Sequence, residues 1–289
     1  MTELKGVCVP ICTPFRNNGA SLDLKAFEAN IDSLIENGVH IIAVNGGTGE
    51  FPFLAEQEKR TLAEVAVKRA KGRVKIIVQT SAIRTEDAVE NSKHADGIGA
   101  DALLILPPYF EGPGEVGVRW HYEQIAKAIK TPIMAYNIPV YTQFDITPEI
   151  FARFSEIDGV KYIKDSTADP SRIEKLAGQG SKVFCGCDFL NFFALINGAT
   201  GLFTGSGNVA PGLIRKLWDL TKSADYGEAE KVWKKLQPIS RLLWTLPFNP
   251  VAKAGSQMTG RPAGLCRMPV PPLSADEMKR VEEAVAALR

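Results

Sequence analysis

The chain has 289 residues, 45% of them hydrophobic, and 34 basic against 33 acidic side chains leave a net charge of +1. That apolar share supplies a large core, in one big domain or two ordinary ones, and the near-neutral balance leaves no field to draw in nucleic acid, polyanions or an anionic membrane. A small-molecule partner is expected, in the cytoplasm: the start MTELKGVCVPICTPF lacks a basic stretch followed by an apolar run, and no apolar segment reaches the ~20 residues that span a bilayer.

Eight short runs rich in Val and Ile mark strands at 6–14, 39–46, 74–81, 100–108, 131–139, 160–167, 182–188 and 200–208. Between them, at 22–37, 56–70, 86–97 and 115–129, apolar residues recur three or four apart, as an amphipathic helix requires. Thr147-Pro148 and Asp169-Pro170 each set a capping side chain before a proline at the first helical position, and Gly178 falls where the second of these helices should stop. Strands that are apolar almost throughout, each followed by a helix, imply a parallel sheet covered by helices. Eight such units close into a (β/α)8 barrel, for which ~250 residues is the usual length. The competing architecture, a doubly wound open sheet, wants a glycine-rich phosphate turn after its first strand, where this chain has PFRNNGAS. Beyond 223 only helical patterns remain, at 225–244, 250–259 and 274–288, the last opening on a capping box between Ser274 and Glu277. The expected division is a barrel over 1–223 and a helical extension over 224–289 packed on it.

In a barrel of this kind the reacting groups lie where strands end and in the loops just after them. Four such places are unusual: Gly46-Gly47-Thr48-Gly49-Glu50, Tyr136-Asn137, Lys164-Asp165 and Gly186-Cys187-Asp188. Side chains alternate along a strand, so Lys164 points into the barrel if Ile163 packs against the helices. An amine held away from water there is nearer its neutral, nucleophilic form, ready to attack a ketone and form a Schiff base; the competing reading is a lysine snorkelling from a strand end to solvent. Tyr136 should end the neighbouring strand at similar height, its phenol placed for proton transfer, unless it is a filler with its hydroxyl bonded to a backbone carbonyl. In the GGTGE turn, closely spaced glycines let backbone N–H groups converge on an anion such as a carboxylate, with Thr48 adding a hydroxyl; a plain tight turn is the alternative. The five cysteines read as reduced thiols, because Cys185 and Cys187 are separated by one residue and not the two of a zinc or redox pair.

Gly-x-Thr-Gly-Glu, then Tyr-Asn-x-Pro, then a strand ending Ile-Lys-Asp-Ser, then NPVAKAGSQMTGRPAGLCRMPVPPLS, resemble in order and spacing the dihydrodipicolinate synthase and N-acetylneuraminate lyase superfamily. The resemblance covers essentially the whole chain. It implies a (β/α)8 barrel, Schiff-base chemistry on pyruvate or a longer 2-oxo acid without metal or cofactor, and a homotetramer. By it Lys164 is the imine-forming lysine, Tyr136 the proton shuttle, and Gly47-Thr48 the carboxylate cradle, with Gly186, Asp188, Tyr141 and Phe110 the further positions expected to face substrate.

Three of these positions depart from the synthases, which carry an arginine where Tyr141 stands, a threonine where Gly47 stands and a tyrosine, contributed by a neighbouring subunit, where Phe110 stands. Sialic acid lyases place an acidic residue directly after the Gly-x-Asp of strand seven, where this chain has Phe189. The stretches GEFPFL and IKDSTADPSRI are most similar to 4-hydroxy-2-oxoglutarate and 2-keto-3-deoxy acid aldolases. The leading expectation is therefore a class I aldolase that releases pyruvate and an aldehyde. A dehydratase of a 2-keto-3-deoxy sugar acid, a 4-hydroxy-tetrahydrodipicolinate synthase and a non-catalytic 2-oxo acid-binding protein are the alternatives.

Overall fold

The computed structural model of the protein describes residues 3–289, so residues 1 and 2 of the expected barrel segment lie outside the described residues. Eight strands, β1 (Gly6–Pro10), β2 (Ile41–Val44), β3 (Lys75–Gln79), β4 (Ala102–Ile105), β5 (Ile133–Asn137), β6 (Val160–Asp165), β7 (Lys182–Cys185) and β8 (Gly201–Phe203), pair in parallel with their sequence neighbours, and β8 pairs with β1 to close the barrel. The longer helices between them are α1 (Leu24–Glu36), α2 (Glu56–Ala70), α3 (Thr85–Gly97), α4 (Gly114–Ala128), α5 (Pro148–Phe154), α6 (Pro170–Gly178), α7 (Asn191–Ile196) and α8 (Pro211–Lys222), with one further helical turn, Pro139–Thr142, just after β5. The expected (β/α)8 barrel is the observed architecture, and three helices follow it: α9 (Tyr226–Thr245), α10 (Phe248–Met258) and α11 (Ala275–Ala286). No helix among the described residues is long and apolar enough to cross a membrane.

Local chemistry explains where helices begin. The Asp23 carboxylate accepts from the Ala26 N–H, the Thr147 hydroxyl from Ile150 N–H, and the Asp169 carboxylate from Ser171 N–H. At α11 the Ser274 hydroxyl accepts from Glu277 N–H at 3.3 Å while the Glu277 carboxylate accepts from Ser274 N–H at 2.8 Å, the reciprocal pair its sequence predicts. Strands are shorter than the apolar runs suggest because several runs continue into structured loops. Residues 204–208, expected as strand, instead fold into a 3₁₀ turn over Gly205–Asn208. A two-stranded ribbon, Phe15–Arg16 with Ser21–Leu22, occupies the loop after β1.

Alternation along the strands separates two apolar layers. Val7, Ile42, Val78, Leu103, Ala135, Ile163, Val183 and Leu202 face outward into a cluster shared with the helices. Cys8, Ile41, Ile77, Leu104, Met134, Tyr162, Phe184 and Phe203 fill the barrel interior. The outer cluster runs on through Ala229, Val232 and Leu236 of α9, so the helical part shares an apolar core with the barrel.

The C-terminal part is also tied to the barrel by charge. The Lys253 ammonium lies 2.5 Å from Glu50 Oε1, with the two side chains only 2% and 0% exposed. Lys253 also donates to the Leu265 carbonyl, and the second Glu50 oxygen accepts from Arg267 N–H. Removing one partner strands the other charge away from water, at a cost of about 3–5 kcal/mol, whereas replacing both with apolar residues of similar size is far milder. Lys253→Met is expected to lower stability by that amount in urea unfolding, and the double change Glu50→Leu with Lys253→Met to recover most of it.

Candidate active site

Ile163 lies in the outer cluster and Tyr162 in the inner one, so the two-residue period of β6 turns Lys164 into the barrel at its C-terminal end. Lys164 is 7% exposed and makes no ion pair or hydrogen bond among the described residues. Its Nζ lies 3.8 Å from the ring centroid of Tyr136 and 4.0 Å from that of Phe203. Tyr136 sits opposite Lys164 in the β5–β6 register. It is buried, and its hydroxyl is bonded to no backbone carbonyl of the described residues.

The ends of β5 and β6 are bolted together one residue further on. Asn137 donates from Nδ2 to Asp165 Oδ2 at 2.9 Å and to Asp145 Oδ1 at 3.0 Å, and accepts from Ile146 N–H through Oδ1. The other Asp165 oxygen accepts from the N–H and hydroxyl of Thr167. Burial raises the Asp165 carboxyl above the ordinary carboxylate range, against these hydrogen bonds, which favour the charged form. The net lets Tyr136 and Lys164 keep their relative position with no polar contact of their own.

Gly186 follows β7. A Cβ built there would lie 2.0 Å from Ser166 Oγ and 2.9 Å from Lys164 Cε, so this glycine is the space through which the lysine side chain passes. Both oxygens of Asp188 are occupied within the fold: Oδ1 accepts from the Thr204 hydroxyl at 2.6 Å and Ser206 N–H at 2.7 Å, and Oδ2 from Gly205 N–H at 3.1 Å. Asp188 was expected to face substrate; the structure instead makes it the clamp of the turn after β8, which carries Phe203 at its base.

The GGTGE turn is held by its carbonyls. Gly47 O accepts from Glu50 N–H and from Asn249 Nδ2, Gly46 O from Phe51 N–H, and Gly49 O from the Thr13 hydroxyl. The N–H groups of Gly46, Gly47 and Thr48 donate to none of the described residues, the arrangement that leaves a backbone concavity open to an anion. Glu50 adopts φ 61°, left-handed, as the turn swings toward Lys253. A Cβ at Gly47 would meet nothing within 4 Å, so that glycine answers to no steric need.

Phe110 and Tyr141 do not join the buried group. Phe110 has φ 83°, and the two rings are 79% and 74% exposed. Together with Ile83, Val116, Trp120 and Val140 they leave large apolar side chains in solvent. All five cysteines are free and buried, and burial pushes the Cys187 thiol up to about 12. No group of three or more His, Cys, Asp or Glu among the described residues is arranged to hold a metal ion.

Residues 3–288 match the dihydrodipicolinate synthetase family. The chain belongs to that family. Over 287 residues it is 33% identical to the 4-hydroxy-tetrahydrodipicolinate synthase of Syntrophobacter fumaroxidans, covering 98% of each chain, and a second enzyme of that name, from Methanocaldococcus jannaschii, is 31% identical with the same coverage. YagE of E. coli K12, a prophage protein of the dihydrodipicolinic acid synthase family solved in complex with pyruvate, superposes with a TM-score of 0.94 at 27% identity, covering 99% of each chain. The dihydrodipicolinate synthetase family comprises pyruvate-dependent Schiff-base lyases and synthases, and this chain is an enzyme of that kind. The relatives carry the name of the synthase, which was an alternative in the sequence reading, and not that of an aldolase.

Sequence reasoning did not single out Phe203 or Lys253, and it named Glu50 and Ser166 only as parts of the GGTGE and Ile-Lys-Asp-Ser motifs. The signal for Lys253 was present as one lysine on the apolar face of NPVAKAGS, but its partner lies about 200 positions away. Gly186→Ala should displace Lys164 and Ser166: imine trapping with pyruvate and borohydride is expected to slow by about 100-fold or more while the barrel stays folded, as judged by circular dichroism, because the methyl would stand 2.0 Å from Ser166 Oγ and 2.9 Å from Lys164 Cε, against 3.1 Å from the nearest backbone atom, the Asp165 carbonyl oxygen.

Proposed function

We propose that the protein is a class I aldolase that cleaves a 4-hydroxy-2-oxo or 2-keto-3-deoxy acid to pyruvate and an aldehyde. One observation carries the reading: a buried lysine amine, with no carboxylate partner among the described residues, lies between two aromatic faces. After attack on the 2-oxo carbon and loss of water, the product is a protonated imine, and the faces of Tyr136 and Phe203 suit that cation. The cradle at Gly47 and Thr48 would take the substrate carboxylate. Removal of the C4 hydroxyl proton then breaks C3–C4, the pair of electrons moves to the imine nitrogen, and the aldehyde leaves. The enamine takes a proton at C3, and hydrolysis returns pyruvate and Lys164. Tyr136 is the proton carrier in this reading, its hydroxyl not committed to the fold.

A second reading, condensation of pyruvate with aspartate semialdehyde, is supported by the names of the relatives. Against it stand the missing hydroxyls at Gly47 and Phe110 and the missing guanidinium at Tyr141. The exposed apolar group around Phe110 and Tyr141 supports burial against another copy of the chain, and we take the assembly to be a homotetramer in the cytoplasm.

Pyruvate with borohydride is expected to inactivate the enzyme irreversibly and to add one pyruvate-derived mass to the peptide holding Lys164; an adduct on Lys161, or none, would remove the mechanism. Side by side, pyruvate release from 4-hydroxy-2-oxoglutarate and 2-keto-3-deoxy sugar acids should exceed condensation with aspartate semialdehyde. Tyr141→Arg alone should lower the apparent KM for the semialdehyde and leave kcat small, since it restores a carboxylate contact without a proton path. Faster condensation than cleavage by the unaltered protein would favour the synthase.

A further inference from the structure

Gln79 ends β3, two residues after the inward-facing Ile77 and one after the outward-facing Val78, so it faces the barrel interior. It is 5% exposed, yet neither Nε2 nor Oε1 has a hydrogen-bond partner among the described residues. A buried amide left so is costly, and in a folded protein it calls for a reason. Its place supplies one. Oε1 lies 3.7 Å from where a Cβ on Gly46 would stand, against the turn whose N–H groups are open. Ser166, on the same face of its strand as Lys164, is 6% exposed and likewise has a hydroxyl without a partner. Unpartnered polar groups thus face the interior from β3 and from the end of β6.

The chemistry of the amide narrows what it meets. A carboxylate accepts from Nε2 but sets its own charge against Oε1, whereas a hydroxyl can accept from Nε2 and donate to Oε1. We propose that Gln79 is a specificity-determining residue that hydrogen-bonds a hydroxyl of the bound 2-oxo acid, beside the cradle that takes the carboxylate. The proposal rests on the aldolase reading. It assigns the hydroxylated portion of the substrate, and not pyruvate itself, to Gln79.

The test compares the wild type with Gln79→Leu and Gln79→Met, which keep the volume and remove the amide. For the hydroxylated 2-oxo acid that the wild type cleaves fastest, kcat/KM should fall by about 10- to 100-fold in both variants, the loss of one or two hydrogen bonds. The pyruvate concentration that half-saturates borohydride inactivation should stay within about 2-fold, since pyruvate has no hydroxyl to lose. The melting temperature should hold or rise, because an unpaired amide has been replaced by an apolar group. A residue that only packs would instead lower the melting temperature and weaken both readouts together. Unchanged kcat/KM, or an equal loss with pyruvate, overturns the assignment of Gln79 alone. A wild type that pyruvate and borohydride do not trap, or that cleaves no hydroxylated acid, overturns the aldolase reading and this inference with it.

Discussion

The pair formed by Glu50 and Lys253 joins three parts of the chain that are far apart in sequence: the turn after β2, helix α10 and the loop through Arg267. Two charges taken this far from water need each other, and each holds one further bond to the backbone: Lys253 to the Leu265 carbonyl and Glu50 from the Arg267 N–H. Around the pair, Arg267 donates to both Glu58 oxygens and to the carbonyls of Gly19 and Phe53. The ammonium of Lys253 and the guanidinium of Arg267 lie 4.3 and 4.4 Å from the ring centroid of Phe15. The loop after β1, the GGTGE turn and the C-terminal helices are therefore one braced unit. The turn can leave its N–H groups open because its carbonyls and its last side chain are held from outside.

The lysine is treated in the opposite way. Lys253 has a carboxylate; Lys164 has only aromatic faces and a glycine that clears its path. Polar order lies one residue further along the strands, where Asn137 and Asp165 lock the ends of β5 and β6. Positioning is thus separated from chemistry. Asn137 and Asp165, which fix geometry, are held by several hydrogen bonds, whereas Lys164 and the amide of Gln79 have no hydrogen-bond partner among the described residues.

Much of this was legible in the chain. The period-two pattern of VKYIKDST settles which lysine faces inward once Ile163 is assigned to the helix side, and the caps at Asp169 and Ser274 fix helix starts to the residue. The same alternation places Gln79 inside, on the parity of Ile77 and two positions beyond it, although nothing in the run says that its amide would lack a partner. Asp188 shows the limit. An acidic residue after a strand reads as a substrate contact, and only the approach of the turn at 204–206 shows its oxygens already occupied.

What the sequence determined by itself is periodic or local: eight apolar strands alternating with amphipathic helices, the parity that turns Lys164 and Tyr136 inward, and the glycines of the cradle. These follow from contacts within a few residues, where spacing alone dictates which side chains share a face. Tertiary structure decided everything that depends on meeting across the chain. Closure of β8 onto β1 completes the interior in which Phe203 faces Lys164, the fold of the C-terminal part brings Lys253 to Glu50, and the β6–β7 neighbourhood makes Gly186 the gap for a side chain. Burial and hydrogen-bond satisfaction are properties of the assembled surroundings, and no stretch of sequence carries them until those surroundings close.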